Sequence, residues 1–139
     1  LNLNQPLLRA AALLHDIKRK EPHHARAGST YLKRLGFNRV ADIVACHMTL
    51  HFSRFTSDIT EAEVLFLADK LCLGDCFELN FKQRFMDKIN QNPSAEKEIL
   101  LRYDTARHIQ ARIETIKGSP IFQGSQHPSP DFCAPPRAD

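Results

Sequence analysis

The first apolar segment of the chain is Leu7-Leu8-Arg9-Ala10-Ala11-Ala12-Leu13-Leu14-His15-Asp16-Ile17. Its apolar residues recur at threes and fours after Pro6, and proline is well accepted in the first turn of a helix. The pattern predicts an amphipathic helix that ends where the charged run 18–21 and Pro22 begin. A histidine and an aspartate thus stand side by side at a helix end. Neighbours within a helix point about 100° apart. At a helix end, however, the backbone departs from helical geometry, and both side chains can point toward one cavity.

The helical period continues along the chain. Gly36 is placed to end a second helix, Thr60 and Glu63 form a capping box, and Ser94 is placed to cap the last helix. No stretch alternates long enough to predict a strand. We therefore expect an all-α domain, a compact bundle of about six helices over residues 1–117. After the first helix, the predicted segments lie at about 24–35, 39–52, 60–71, 78–89 and 94–117.

Residues 118–139 differ from the rest of the chain. They hold five of the eight prolines and little periodic apolar content, which predicts a proline-rich loose tail or linker. The sequence begins at Leu1 rather than at a methionine. We therefore expect this chain to be part of a longer, multidomain protein.

Composition narrows the choice of partner. The formal net charge of +3 and the pI of about 8.8 are too mild to favour nucleic acid, but they suit a small phosphorylated substrate. No apolar stretch is long enough for a bilayer, so we expect no membrane partner. The four cysteines fit reduced thiols, and we expect a cytoplasmic protein. Cys72 and Cys76, four apart on a predicted helix, leave a metal pair open, although no second pair matches them.

Further histidines and acids stand at informative positions. His24 begins the second predicted helix, His47 lies within the third and Asp69 within the fourth. The neighbours of Asp69 are apolar, and a buried carboxylate is costly unless it is paired or bound to a metal. Lys70 is expected to point to another face, since adjacent helical residues diverge. Any one of these residues alone is explained as an unrelated, partly exposed side chain, but the set together predicts a site.

Four short motifs, in the same order, resemble those of the HD superfamily of metal-dependent phosphohydrolases. The run from Ala10 to Ile17 resembles the family's A-x-L-L-H-D-I signature, and His24-Ala25-Arg26-Ala27-Gly28 resembles its H-x-x-x-G helix start. Ile43-Val44-Ala45-Cys46-His47 resembles the third motif, and Ala68-Asp69-Lys70-Leu71 resembles the closing A-D-K. The resemblance covers about residues 7–75.

The resemblance implies a divalent metal site with one or two ions. His15, Asp16 and Asp69 would hold one ion, and Asp16 would bridge to a second that is bound by His24 and His47. Such donors suit Mn²⁺, Fe²⁺, Co²⁺, Ni²⁺ or Zn²⁺, with Mg²⁺ less favoured.

The implied reaction is hydrolysis of a phosphate ester or phosphoanhydride, of a nucleotide or a small phosphorylated metabolite. Asp16 would act in catalysis by orienting the attacking water.

Several assignments stay open within this resemblance. His23 competes with His24, although the spacing to Gly28 favours His24. His51 lies four residues after His47 and would share its helix face. The family's H-D-I-G-K appears as His15-Asp16-Ile17-Lys18-Arg19. Arg19, with Lys18, keeps positive charge where a substrate phosphate would bind, and a solvated charged turn explains these residues equally well.

One departure favours a rival function. The family has a further ligand histidine one helix upstream of the His-Asp pair, and this sequence starts too late to contain it. A weakened first metal site would suit a catalytically weak or inactive domain that senses a ligand within a longer protein. A plain helical scaffold, forming a homodimer through the last helix, would leave Asp69 and the histidines without a purpose.

Overall fold

The computed structural model describes residues 1–51, 56–73, 76–77 and 81–121. These residues form six helices and two short antiparallel strands, β1 (Cys72–Leu73) and β2 (Cys76–Phe77), which pair between the fourth and fifth helices. The predicted all-α class with six helices is confirmed. The helices are α1 (Gln5–Leu14), α2 (His24–Arg34), α3 (Asn38–Cys46), α4 (Glu61–Leu71), α5 (Phe81–Gln91) and α6 (Glu96–Lys117).

Local capping explains several helix boundaries. The Asn4 side chain accepts a hydrogen bond from the first turn of α1. Thr60 and Glu63 form the predicted capping box at the start of α4, each side chain bonding the other's backbone N–H. Gly36 follows the end of α2 with φ of 85°, a left-handed conformation that glycine adopts without a Cβ penalty. These ends were predictable because each depends on a few neighbouring residues.

The third helix is shorter than predicted. It ends at Cys46 rather than near residue 52, and His47 is its C-terminal cap. The chain turns away here, and Leu50 is buried in the core instead of continuing the helix. The prediction that His51 shares a helix face with His47 is therefore wrong, since His51 is exposed beyond the helix end.

Two other local predictions are wrong. Ser94 does not cap the last helix, because a short 3₁₀ turn (Pro93–Ala95) directs its hydroxyl to the Asn92 side chain at 2.7 Å. Cys72 and Cys76 lie on opposite strands rather than on one helix, because α4 ends at Leu71. The predicted start of the fifth helix, residues 78–80, lies outside the described residues.

The core consists of two apolar clusters that share α4 as a common wall. Leu65 of α4 packs with residues of α1, α2 and α3, whereas Phe66, Leu67 and Leu71 pack with residues of α5 and α6. Asp69 therefore lies on the element between the two clusters. The first cluster comprises Ala11, Leu32, Val40, Ala41, Ile43, Val44 and Leu65, and the second includes Cys46, Leu50, Ile59, Phe66, Leu67, Leu71, Phe81, Phe85, Ile99, Ala106, Ile109 and Ile113.

The last helix ends at Lys117, and Gly118 follows with φ of 68°. Ile121 packs against the second cluster. Residues 122–139 lie outside the described residues, so the loose tail stays a prediction. None of the described helices has the length and apolar character needed to cross a bilayer.

Gly28 of α2 faces the corner that holds His15. A Cβ at this position would meet Ile17 Cγ2 at 3.4 Å, Val44 Cγ1 at 3.5 Å and the His15 carbonyl oxygen at 3.9 Å. A methyl group therefore just fits, and a larger side chain does not. The small residue lets α2 pack closely against the end of α1.

We expect opposite effects from two substitutions at this position. Gly28→Ala should raise the free energy of unfolding by up to about 1 kcal/mol, because alanine is the better helix residue and its methyl fits. Gly28→Leu should lower it by about 1–3 kcal/mol through overpacking. Urea unfolding followed by circular dichroism measures both. Equal stability of the two variants would contradict the close packing.

Candidate metal centre

Five polar side chains converge where the first four helices meet. His15 is the C-terminal cap of α1 and Asp16 follows it, His24 is the first residue of α2, and His47 caps the end of α3. Asp69 comes from the last turns of α4. Four of the five thus stand at or just beyond a helix end, where side chains are not confined to one helical face. The structure brings together all five residues predicted from the sequence.

The carboxylate of Asp16 faces two groups of donors. Its Oδ2 lies 3.7 Å from His15 Nε2. Its Oδ1 lies 3.4 Å from His24 Nε2 and 3.8 Å from His47 Nε2. Asp69 closes the first group, with Oδ1 at 3.6 Å from the same His15 nitrogen. Asp16 is therefore the residue common to a His15–Asp69 side and a His24–His47 side.

Backbone carbonyls orient two of the imidazoles. His15 Nδ1 donates to the Ala12 carbonyl and His47 Nδ1 donates to the Val44 carbonyl, each at 2.7 Å. A carbonyl only accepts, so Nδ1 carries the proton, and Nε2 of the neutral ring offers a lone pair toward the carboxylates. A metal-binding histidine typically makes such a contact through its other nitrogen.

The spacing of the Asp16, His24 and His47 donor atoms fits a cation. The two Nε2 atoms lie 3.0 Å apart and complete a triangle with Asp16 Oδ1 at 3.4 and 3.8 Å. A triangle with these edges has a point roughly 2.0 Å from every corner, close to the usual metal–nitrogen and metal–oxygen distances. Among the described residues, these three form a group able to hold a metal ion.

Burial and charge set the protonation of the histidines. The hydrogen bond to Asp69 raises the pKa of His15, against burial, which lowers it. Burial lowers the pKa of His47, which outweighs the hydrogen bond to Val44. His47 is therefore held neutral, the form that binds metals. A proton on His15 Nε2 occupies the position between two carboxylates that a metal would take, so a metal bound there would displace that proton.

Lys70 is placed differently from the sequence prediction. Its Nζ lies 2.5 Å from Asp69 Oδ2 and donates to the His47 carbonyl at 3.0 Å, because the long side chain folds back across the helix. Burial acts to raise the pKa of Asp69, but His15 and Lys70 outweigh it and hold that pKa well below its usual range. Asp69 is half-buried, with 27% of its side chain exposed, and Lys70 gives it a cation partner besides any metal.

The charged turn after α1 divides its residues between two surfaces. Arg19 Nη1 donates to Asp16 Oδ2 at 3.0 Å. Lys18 instead pairs with Glu21 at 3.0 Å and lies over the Tyr31 ring, away from the five residues. Of the two predicted phosphate contacts, only Arg19 lies at the site.

The structure distinguishes His23 from His24. His24 contacts both Asp16 and His47. His23 is exposed and has φ of 52°, a left-handed conformation that is uncommon outside glycine. That turn in the backbone immediately before α2 directs only the second histidine of the pair to the site.

A cavity of about 200 Å³ opens beside Asp16, His24 and Asp69. Sequence reasoning missed part of its wall, which comes from α5 and α6. Arg84 and Lys88 lie four residues apart, so they share a face of α5, and that spacing was a signal available in the sequence. The cationic side chains lining the cavity are Arg19, Lys70, Arg84, Lys88 and Arg102.

Comparison with known proteins agrees with this geometry. A family model described as HD domain matches residues 1–74 of the 139. The chain belongs to the HD domain family, a superfamily of metal-dependent phosphohydrolases. No curated protein and no solved structure matches it. The match contains α1 to α4 and therefore all five predicted site residues, whereas α5 and α6 lie beyond it.

We expect His24→Gln and His23→Gln to separate the two histidines. Loss of His24 should weaken Mn²⁺ or Zn²⁺ binding by at least about 100-fold, the upper end of what outer contacts of a metal site contribute. The His23 variant should bind metal as the wild type does, because its side chain points to solvent. Isothermal titration calorimetry measures both. Equal loss in the two variants would contradict the assignment.

Proposed function

We propose that this chain is a metal-dependent phosphohydrolase that cleaves a phosphate ester or phosphoanhydride, of a nucleotide or a small phosphorylated metabolite. The observation that carries the proposal is the position of Asp16, whose two carboxylate oxygens face separate sets of imidazole and carboxylate donors. Membership in the HD domain family supports the same reaction class.

The proposed metal site uses the five converging residues. His15, Asp16 and Asp69 would hold one divalent ion, and Asp16, His24 and His47 a second. When bound, a divalent ion lowers the pKa of water from ~15.7 toward ~7, which makes hydroxide available near neutral pH. Imidazole nitrogens favour Mn²⁺, Fe²⁺, Co²⁺, Ni²⁺ or Zn²⁺ over Mg²⁺.

The chain's own side chains would supply positioning and charge. Asp16 would orient the attacking water through a carboxylate oxygen. The water oxygen bonds to phosphorus, the bond from phosphorus to the leaving oxygen breaks, and the released group takes up a proton. Arg19 would stabilise the negative charge on the phosphoryl oxygens, because its guanidinium is largely exposed and can turn from Asp16 toward a substrate.

A ligand-sensing role is the second candidate. The observation that favours it is the Asp69–Lys70 ion pair, which satisfies one oxygen of a proposed ligand carboxylate within the protein. A domain of this kind would bind a metal and a phosphorylated ligand without turnover.

The test is Asp16→Asn, assayed with p-nitrophenyl phosphate and a panel of nucleotides in added Mn²⁺, Ni²⁺, Co²⁺ or Mg²⁺. We expect wild-type turnover that is lost with chelator, and a fall in kcat of about 100- to 1,000-fold in the variant, because a single group that stabilises the transition state contributes this much. Asp42→Asn is the matched control, since Asp42 is exposed on α3 and pairs only with Lys33 among the described residues.

Three outcomes decide between the candidates. Turnover that depends on both metal and Asp16 supports the enzyme. Stoichiometric metal without turnover, also in the protein extended upstream, supports the sensing role. Absence of metal together with unchanged stability of Asp69→Ala would contradict both and leave a helical scaffold.

A further inference from the structure

The cavity beside the proposed metal site holds more positive charge than its acidic residues neutralise. Three of its cations have carboxylate partners, in the pairs Arg19–Asp16, Lys70–Asp69 and Arg102–Glu98. The remaining two, Arg84 and Lys88, form no ion pair with any described residue within 4.0 Å. Both come from α5, which lies beyond the part of the chain that the family model matches.

The structure holds Arg84 in a defined position. Its Nη1 donates to the carbonyls of Lys70 at 3.1 Å and Cys72 at 2.7 Å, at the end of α4. Among the described residues the other guanidinium nitrogens make no hydrogen bond, so they are available to a ligand. A guanidinium fixed in this way is suited to bidentate binding of phosphate.

Lys88 lies one helical turn after Arg84 on the same face. Its Nζ lies 5.8 Å from the centre of the Phe85 ring, and Phe85 is buried and also lines the cavity. Burial lowers the pKa of Lys88, and the positive charges of Arg84 and Lys70 lower it further, whereas Asp69 opposes them. The electrostatic potential around Lys88 is therefore positive, and a bound anion would offset it.

A second cavity offers space for the rest of a substrate. It measures about 430 Å³ and shares His24, Met48 and Arg102 with the first cavity. Sites for small organic ligands typically measure about 300–1,000 Å³. The larger cavity therefore suits an organic group, and the smaller, cationic one suits phosphate groups.

We propose that Arg84 and Lys88 bind a second phosphate of the substrate, adjacent to the one that reacts. The inference rests on the proposed function and narrows it to the phosphoanhydride class, such as a nucleoside diphosphate, in preference to a phosphate monoester. The reacting phosphate would lie next to Asp16 and Arg19. The next phosphate would extend toward α5, where Arg84 and Lys88 form no ion pair with a described residue.

The experiment measures binding of ADP and AMP by isothermal titration calorimetry in a fixed excess of Mn²⁺. The two ligands differ only by one phosphate. The wild-type protein should bind ADP about tenfold or more tightly than AMP, as one additional charge-assisted contact supplies. Lys88→Gln should lower ADP affinity by about tenfold and AMP affinity by less than about twofold. Lys82→Gln is the matched control, since Lys82 is exposed on the same helix and does not line the cavity.

Other results would overturn the inference: equal losses for both ligands, no loss for either, or no measurable ADP binding by the wild type. Binding and turnover also separate the two proposals. An ADP preference that depends on Lys88, without hydrolysis of any phosphate, would support the second-phosphate site and contradict the proposed phosphohydrolase activity. Metal-dependent hydrolysis without that preference would do the reverse.

Discussion

The carboxylates of Asp16 and Asp69 share one imidazole, with His15 Nε2 at 3.7 and 3.6 Å from their oxygens. Two negative charges this close together repel each other, and the arrangement is stable only where positive charge between or beside them offsets the repulsion. Lys70 supplies that charge at Asp69 Oδ2, and Arg19 supplies it at Asp16 Oδ2, the oxygen that also faces His15. His15 Nε2 thus lies between Asp16 Oδ2 and Asp69 Oδ1, an arrangement that calls for a proton or a metal ion.

The apolar packing holds Asp69 in position, because α4 contributes residues to both core clusters. Leu65 packs into one cluster and Phe66 into the other, and the Glu63–Arg112 ion pair ties the first turn of α4 to α6. Glu63 is only 1% exposed, so its carboxylate is held by the capping box and by Arg112 rather than by water. A helix fixed at both ends keeps Asp69 against the corner formed by the ends of α1 and α3.

Sequence reasoning reached those features that depend on neighbours in the chain. The end of α1 at His15, the capping box at Thr60 and the turn at Gly36 all follow from local chemistry, and the motifs singled out the five side chains that the structure brings together. It failed where contacts between residues far apart in the sequence determine the structure. The early end of α3 depends on the burial of Leu50, and the direction of Lys70 depends on the His47 carbonyl. The α5 cations join the cavity only through tertiary packing.

The carbonyls that orient His15 and His47 belong to the last turns of α1 and α3. At the end of a helix the carbonyl oxygens lack the N–H from four residues on, so they can accept from a side chain. The Val44 oxygen accepts both the His47 backbone N–H, at 3.3 Å, and His47 Nδ1. Both rings use the same i to i−3 reach, from positions that the two helix dipoles make favourable for positive charge. Where these helices stop therefore governs which nitrogen of each ring is basic, so fraying or lengthening by a single turn would alter cation affinity without changing any side chain.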